Sequence, residues 1–343
     1  MFYGLGSGLR QNLDWGDFKY LACAIPPLSE QAAIVRFLDH ADRRIRRYIR
    51  AKQKLVALLE EQKQAIIHRA VTGQIDVRTG RPYPAYKPSG VSWLGDVPEH
   101  WAVRAFTRSS VERADYRGAT PTKTESGVFL VTAKNIRKGW VDYEKSREFV
   151  AQEEYGRIMR RGLPRRGDLL LTTEAPLGNA ALIDREDVAL AQRVIRFRLD
   201  PRTLLPQFGL HSVLDPYFQD QLLCRGTGST ALGIKASKLP QLRIVCPLMD
   251  EQEAILAHIA ERCRPVDADR ALTCRQIELV REYRTRLIAD VVTGKLDVRE
   301  AAAGLPDETE EPEPFSDTEA FEAQDDPHVD GLDPDLDLQE ADA

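Results

Sequence analysis

The chain has 343 residues, 43% of them hydrophobic and 29% charged, with a formal net charge of −5. That length holds two domains and a buried core, and no run approaches the ~20 apolar residues of a membrane span. The charge is divided: from Leu305 to Ala343 there are sixteen Asp and Glu and no Lys or Arg, leaving 37 acidic against 48 basic residues in the first 304 positions, a net of +11. The average therefore hides a basic body that suits a phosphate backbone. Met1-Phe2-Tyr3-Gly4 does not open a signal peptide. The cysteines Cys23, Cys224, Cys246, Cys263 and Cys274 are odd in number without Cys-x-x-Cys spacing, and the six histidines lack paired-ligand spacing. These features point to reduced thiols in a cytoplasmic protein and to no metal site.

Residues 1–24 read as the last strand and loop of a domain whose body is missing. Their Gly6-Ser7-Gly8 lies 24 residues before Glu30, much as Gly226-Thr227-Gly228 lies 25 before Glu251. Residues 25–78 carry one long amphipathic helix, Ser29 to Thr72, with Ser29 as N-cap and Gly73 as the stop. Ile34, Leu38, Ala41, Ile45, Tyr48, Leu55, Leu59 and Ile66 form its seam, interrupted by Lys52 and Gln62. At 1.5 Å per residue such a helix runs about 66 Å and needs a partner along its stripe.

Residues 79–249 change pattern. Arg81-Pro82-Tyr83-Pro84-Ala85-Tyr86-Lys87-Pro88-Ser89-Gly90 is a turn-rich connector, and Trp93-Leu94-Gly95-Asp96-Val97-Pro98-Glu99-His100-Trp101 opens a globular segment. Strands are predicted at Gly127 to Thr132, Asp168 to Thr173, Ala180 to Ile183, Val194 to Leu199 and Leu242 to Val245, and helical stretches at Gln152 to Met159 and Gln207 to Leu223. Pro98 to Met249 holds 24 Lys and Arg against 17 Asp and Glu. Alternation places Arg196 and Arg198 on one strand face, with Ile195 and Phe197 behind. Arg and Lys here suit phosphate, and Asn135 with its basic neighbours suits base edges in a major groove. The candidate DNA-contacting set is Lys134, Asn135, Arg137, Lys138, Thr172, Thr173, Arg193, Arg196, Ser229 and Lys235. For any one of them a merely solvated basic surface is an equal alternative.

Residues 250–299 repeat the first helical unit. Glu251 follows Glu30 by 221 residues and Gly294 follows Gly73 by 221, so Glu30 to Arg78 and Glu251 to Arg299 align without a gap, with 14 identities. Asp250-Glu251-Gln252-Glu253 fits a capping box, while Pro265 should kink or break the helix near Cys263. Two rods of equal length pair along one seam and suit a spacer; a generic helical hairpin packed on a domain is the alternative. Residues 300–343 form an acidic tail expected to be disordered, which either solvates the chain or folds back on the basic face.

No catalytic constellation appears. Gly228-Ser229-Thr230-Ala231-Leu232-Gly233-Ile234-Lys235 fails as a phosphate loop because Lys235 does not follow the glycine. Asp215-Pro216-Tyr217-Phe218 lacks the second proline of an adenine methyltransferase motif and any glycine-rich cofactor loop.

On Pro27-Leu28-Ser29-Glu30-Gln31 and Leu248-Met249-Asp250-Glu251-Gln252, Val71-Thr72-Gly73 and Val292-Thr293-Gly294, and Trp93 to Trp101, the chain resembles the specificity subunits of type I restriction-modification enzymes over residues 1 to about 300. Gly167-Asp168-Leu169-Leu170-Leu171 and Gly226-Thr227-Gly228-Ser229 add to the likeness. The resemblance implies an α+β fold: a mixed α/β target-recognition domain plus two long helices forming an antiparallel coiled coil. It implies a non-catalytic subunit that reads a half-site in double-stranded DNA and docks modification (methyltransferase) subunits and a restriction/translocase subunit. S-adenosylmethionine, ATP and magnesium would belong to those partners, with no cofactor of its own. With the first recognition domain reduced to residues 1–24, either two copies pair through their helices as a homodimer or the chain is an inactive remnant. A coiled-coil scaffold without sequence-specific DNA binding is the remaining alternative.

Overall fold

The computed structural model describes residues 25–117, 121–228 and 232–306. The proposed remnant at 1–24, Ser229 and the acidic tail from Asp307 lie outside the described residues. The chain divides into two compact units, one holding the segments up to Ile45 and from Tyr283 onward, the other Arg46–Glu282.

Helix α1 (Leu28–Val71) is continuous for 44 residues. Glu30 and Gln31 donate their backbone N–H groups to the Pro27 carbonyl, and Gln31 Nε2 donates to the Pro26 carbonyl at 2.8 Å. The helix stops at Gly73, whose φ of 75° suits glycine. A Cβ there would stand 2.4 Å from Pro98 Cδ, so the stop also lets the chain pack against the Trp93–Trp101 segment.

The middle of the chain is a mixed α/β body. In order it forms β1 (Tyr86–Pro88), β2 (Asp96–Pro98), β3 (Ala102–Ala105), β4 (Ser110–Asp115), β5 (Lys123–Thr124), β6 (Val128–Val131), β7 (Phe149–Val150), α2 (Gln152–Ile158), β8 (Leu169–Thr173), β9 (Leu177–Leu182), β10 (Val188–Leu190), β11 (Val194–Leu199), α3 (Pro206–Leu214), α4 (Pro216–Arg225) and β12 (Arg243–Cys246). One four-stranded sheet has the order β4-β11-β8-β9 and is antiparallel throughout. A second has the order β10-β6-β7-β5, and two-stranded pairs join β1 to β2 and β12 to β3. Every residue of β8 is buried, matching its uninterrupted Leu-Leu-Leu-Thr-Thr run. The α+β class and the five predicted strands are present. Strands β1, β2, β4 and β5 are not marked by any apolar run, and the run at Val188–Ala191 that forms β10 is too short to be told from a loop by pattern alone.

The stretch from Gln207 to Leu223 is two helices. Pro216 disfavours helical geometry at Asp215, which is extended (φ −70°, ψ 145°) and caps α4 by accepting the Tyr217 N–H. The same buried carboxylate meets His68 Nδ1 at 3.0 Å, tying the end of α1 to the body. The Asp215 hydrogen bond, working against partial burial, raises the His68 pKa above its ordinary 6.5. A raised folded-state value contributes stability below the unfolded pKa that fades as pH rises through the folded one. Melting temperatures across pH 5 to 9, roughly spanning that window, are expected to separate wild type from His68→Asn most at the acid end. A gap that widens toward alkaline pH would contradict the pairing.

Helix α5 (Met249–Val292) also runs 44 residues without a break. Pro265 lies inside it, so of the expected kink or break the break does not occur. Ile259, Cys263 and Val266 are buried on either side of the proline, and that packing holds the helix across the one lost N–H bond. A short α6 (Arg299–Ala303) follows.

In each unit the two long helices run antiparallel. One unit pairs Lys63 with Asp267 at 2.7 Å and Glu60 with Arg270. In the other, Leu287, Val291 and Val298 are buried against Ile34, Phe37, Leu38, Ala41 and Ile45, and Arg284 pairs with Asp42. The predicted seam fails at Tyr48 and Leu55, which stay exposed. Beyond them the stripe resumes, with Leu59 partly buried and Ile66 packed on the main core.

The repeated Glu-Gln pair has a structural role at the head of α5. Gln252 Nε2 donates to the Thr203 and Pro247 carbonyls, and its Oε1 accepts the Leu205 N–H at 2.8 Å. Glu251 is 1% exposed and receives Tyr83 Oη at 3.2 Å, Trp101 Nε1 at 3.4 Å, Arg78 Nη2 at 3.1 Å and His100 Nε2 at 2.8 Å. Burial, with this carboxylate beside it, pushes the Tyr83 phenol up. These bonds explain why Arg78, Tyr83 and the closing His-Trp of Trp93–Trp101 accompany the motif. No described helix is long and apolar enough to cross a membrane.

Candidate nucleic-acid interface

One end of the sheet β4-β11-β8-β9 collects the chemistry. Register places the end of β8 beside the start of β11, with Val194 opposite Thr172, and the start of β9 beside Thr173. The end of β4 joins them, with Asp115 opposite Ile195. Thr173 donates both its N–H and its hydroxyl to the Arg193 carbonyl, and its own carbonyl accepts the Ile234 N–H at 2.9 Å. Thr227 and Gly233 exchange two backbone bonds, and Arg117 Nη1 donates to the Ile234 carbonyl at 2.9 Å. Four segments distant in sequence thus meet at one rim. Among the predicted contacts, Arg193 and Lys235 are exposed there. Arg193 lies 2.9 Å from the half-exposed Glu174 carboxylate, a pair that water screens and DNA could displace.

The Lys134–Gly139 turn is fastened to the neighbouring part of β9. Asn179 Nδ2 donates to the Ile136 carbonyl and Gly139 N–H to the Ala180 carbonyl, both at 2.8 Å. Lys134 and Lys138 project as exposed side chains, while Arg137 is half-buried 3.5 Å from Asp142.

Four predicted contacts are corrected by the structure. Asn135 is fully buried: its Oδ1 accepts from Thr132 N and Oγ1, and its Nδ2 donates to the Asp142 and Ser146 carbonyls. No donor or acceptor is left for a base, and the residue builds the turn that presents Lys134. Thr172 and Thr173 are buried, with hydroxyls spent on the Asn179 and Arg193 carbonyls.

Arg196 is also fully buried, bonded to Asp168 at 2.9 Å, to Tyr116 and to Glu112. Arg198 shares the same two carboxylates. Alternation correctly put both guanidinium groups on one face, but that face covers acids and not solvent. The Gly167-Asp168 motif is accounted for by this cluster. Sequence reasoning left Arg117 out of the set, although the i, i+2 spacing of Arg113, Asp115 and Arg117 could have placed them on one strand face.

No protein-family model matches the chain. It is 23% identical over 305 residues to the type I restriction enzyme MjaVIII specificity subunit of Methanocaldococcus jannaschii, covering 86% of this chain and 66% of that one. It is 22% identical over 278 residues to the EcoBI specificity subunit of Escherichia coli, covering 79% and 58%. The chain is a relative of type I restriction enzyme specificity subunits. It spans roughly three fifths of the length of these curated specificity subunits. A solved structure of a type I restriction-modification assembly matches with a TM-score of 0.53 at 17% identity over 79% of this chain, a likeness of fold.

Proposed function

We propose that this chain is the DNA sequence-recognition subunit of a type I restriction-modification complex, reading one half-site with residues 79–249 and docking modification subunits on its spacer helices. The observation that carries this is the similarity to named specificity subunits across most of the chain, joined to two 44-residue helices in an ungapped repeat whose copies are 221 residues apart. The sheet rim presenting Arg193, Lys235, Lys134 and Lys138 supports a DNA-facing role. Tyr48, Leu55, Leu58, Leu272 and Leu279 are exposed on the helices, with seven-residue steps between 48 and 55 and between 272 and 279, which suits the docking of partner helices. The subunit is non-catalytic; S-adenosylmethionine, ATP and magnesium belong to its methyltransferase and translocase partners.

A second reading head is supplied by another specificity chain, in the simplest case a second copy. Support comes from the repeat: Val71, buried completely, corresponds to Val292, 59% exposed, and buried Cys246 corresponds to Ile25, 80% exposed. The first end of α1 and the last end of α5 thus show apolar surface at positions whose equivalents are covered. Co-expression with a modification subunit followed by mapping of adenine methylation is expected to reveal one new motif, palindromic if two copies pair. Absence of any new motif would overturn the proposal.

A further inference from the structure

β4 is the edge strand of the four-stranded sheet, and its alternation sets Arg113 and Asp115 on one face, with Arg117 just beyond the strand. With Ala114 and Arg161 they line an open cavity of about 440 Å³. Arg117 is held from two sides. Asp115 takes its Nε and Nη2, and the Ile234 carbonyl takes Nη1 at 2.9 Å. Half-burial opposes ionisation of Asp115, yet the bonds from Arg117 keep its carboxyl below the ordinary range. Arg161 donates Nη1 to the Asp115 and Arg117 carbonyls, which leaves Nε and Nη2 unspent among the described residues, and its charge helps to hold the Asp115 carboxyl ionised. Arg113 is exposed and has no partner among the described residues.

We propose that Arg113, Arg117 and Arg161 form a clamp for backbone phosphates of duplex DNA, beside the rim that reads it. This rests on the DNA-recognition role given above. Three guanidinium groups against one carboxylate leave the cavity a net +2, and phosphate diesters are the anions a duplex offers at regular spacing. Two of the three forks are fixed by protein bonds before any ligand arrives, so little side-chain freedom is lost on binding. Arg117 reaches the same Ile234 carbonyl region that anchors the rim, which joins phosphate contact to base-reading segments through one bond. A contact of this kind sets register and orientation and carries no sequence information.

The test uses the full-length chain and a duplex of arbitrary sequence, with affinity measured between about 50 and 200 mM salt. Arg113→Gln is expected to make the slope of log affinity against log salt shallower by about one, and Arg113→Gln with Arg161→Gln by about two. Arg202→Gln, past the opposite end of β11, is expected to leave the slope unchanged. The Arg113 side chain makes no bond among the described residues, so its single variant decides the matter even if the double variant fails to fold. Wild-type slopes in Arg113→Gln would overturn the clamp while leaving DNA recognition intact. So would a loss confined to particular sequences, which would make Arg113 a base reader. A wild-type chain that binds no duplex would overturn the DNA-recognition role itself.

Discussion

Arg196→Met is expected to destabilise the chain by about 3–5 kcal/mol, the usual effect of removing one partner from a buried ionic cluster. The guanidinium lies between Asp168 and Glu112 with Tyr116 on its Nε, and its side chain is inaccessible to water. Methionine fills much of the same volume but leaves Asp168, 3% exposed, with Arg198 as its remaining charged partner and the Arg165 N–H as a further donor. Denaturant titration of the purified chain measures the effect. Arg193→Gln is expected to change stability by less than about 0.5 kcal/mol and to weaken DNA binding. A stable Arg196→Met chain with impaired DNA binding would return Arg196 to the interface.

Glu251→Ala is expected to cost about 3 kcal/mol, because it strands the Tyr83, Trp101 and His100 donors around a buried void. Glu251→Gln should fall between, since an amide oxygen still accepts from Tyr83 or Trp101. The repeat supplies its own control. Glu30 occupies the equivalent position in a half-exposed setting, where Glu30→Ala should shift stability by no more than about 0.5 kcal/mol. Equal costs at the two positions, in denaturant titrations of both variants, would show that the ring of donors around Glu251 contributes nothing.

Legibility followed range along the chain. The two helices, their common stop at Gly73 and Gly294, and the strand at Leu169–Thr173 could be read in one dimension because their signals are local: apolar spacing, a glycine, an uninterrupted run. The role of Glu251 could not, since its partners at Arg78, Tyr83, His100 and Trp101 lie 150 or more residues away. The same limit misplaced Asn135 and Arg196. Composition marks an arginine or asparagine as able to contact DNA, but only the fold decides whether a carboxylate or a turn claims it first. Pro265 does not end its helix for a related reason, because tertiary packing outweighed a local preference.

The rim on the β4-β11-β8-β9 sheet separates two duties among neighbouring residues. Leu169 to Leu171 and Val194 to Phe197 are wholly inaccessible and carry the fold, whereas Arg193, Lys235, Lys134 and Lys138 rest on backbone bonds and are exposed. Substitutions at the second group leave the first untouched. On the proposed role, a lineage bearing this scaffold is free to drift in what it recognises while its folding remains robust to the same mutations.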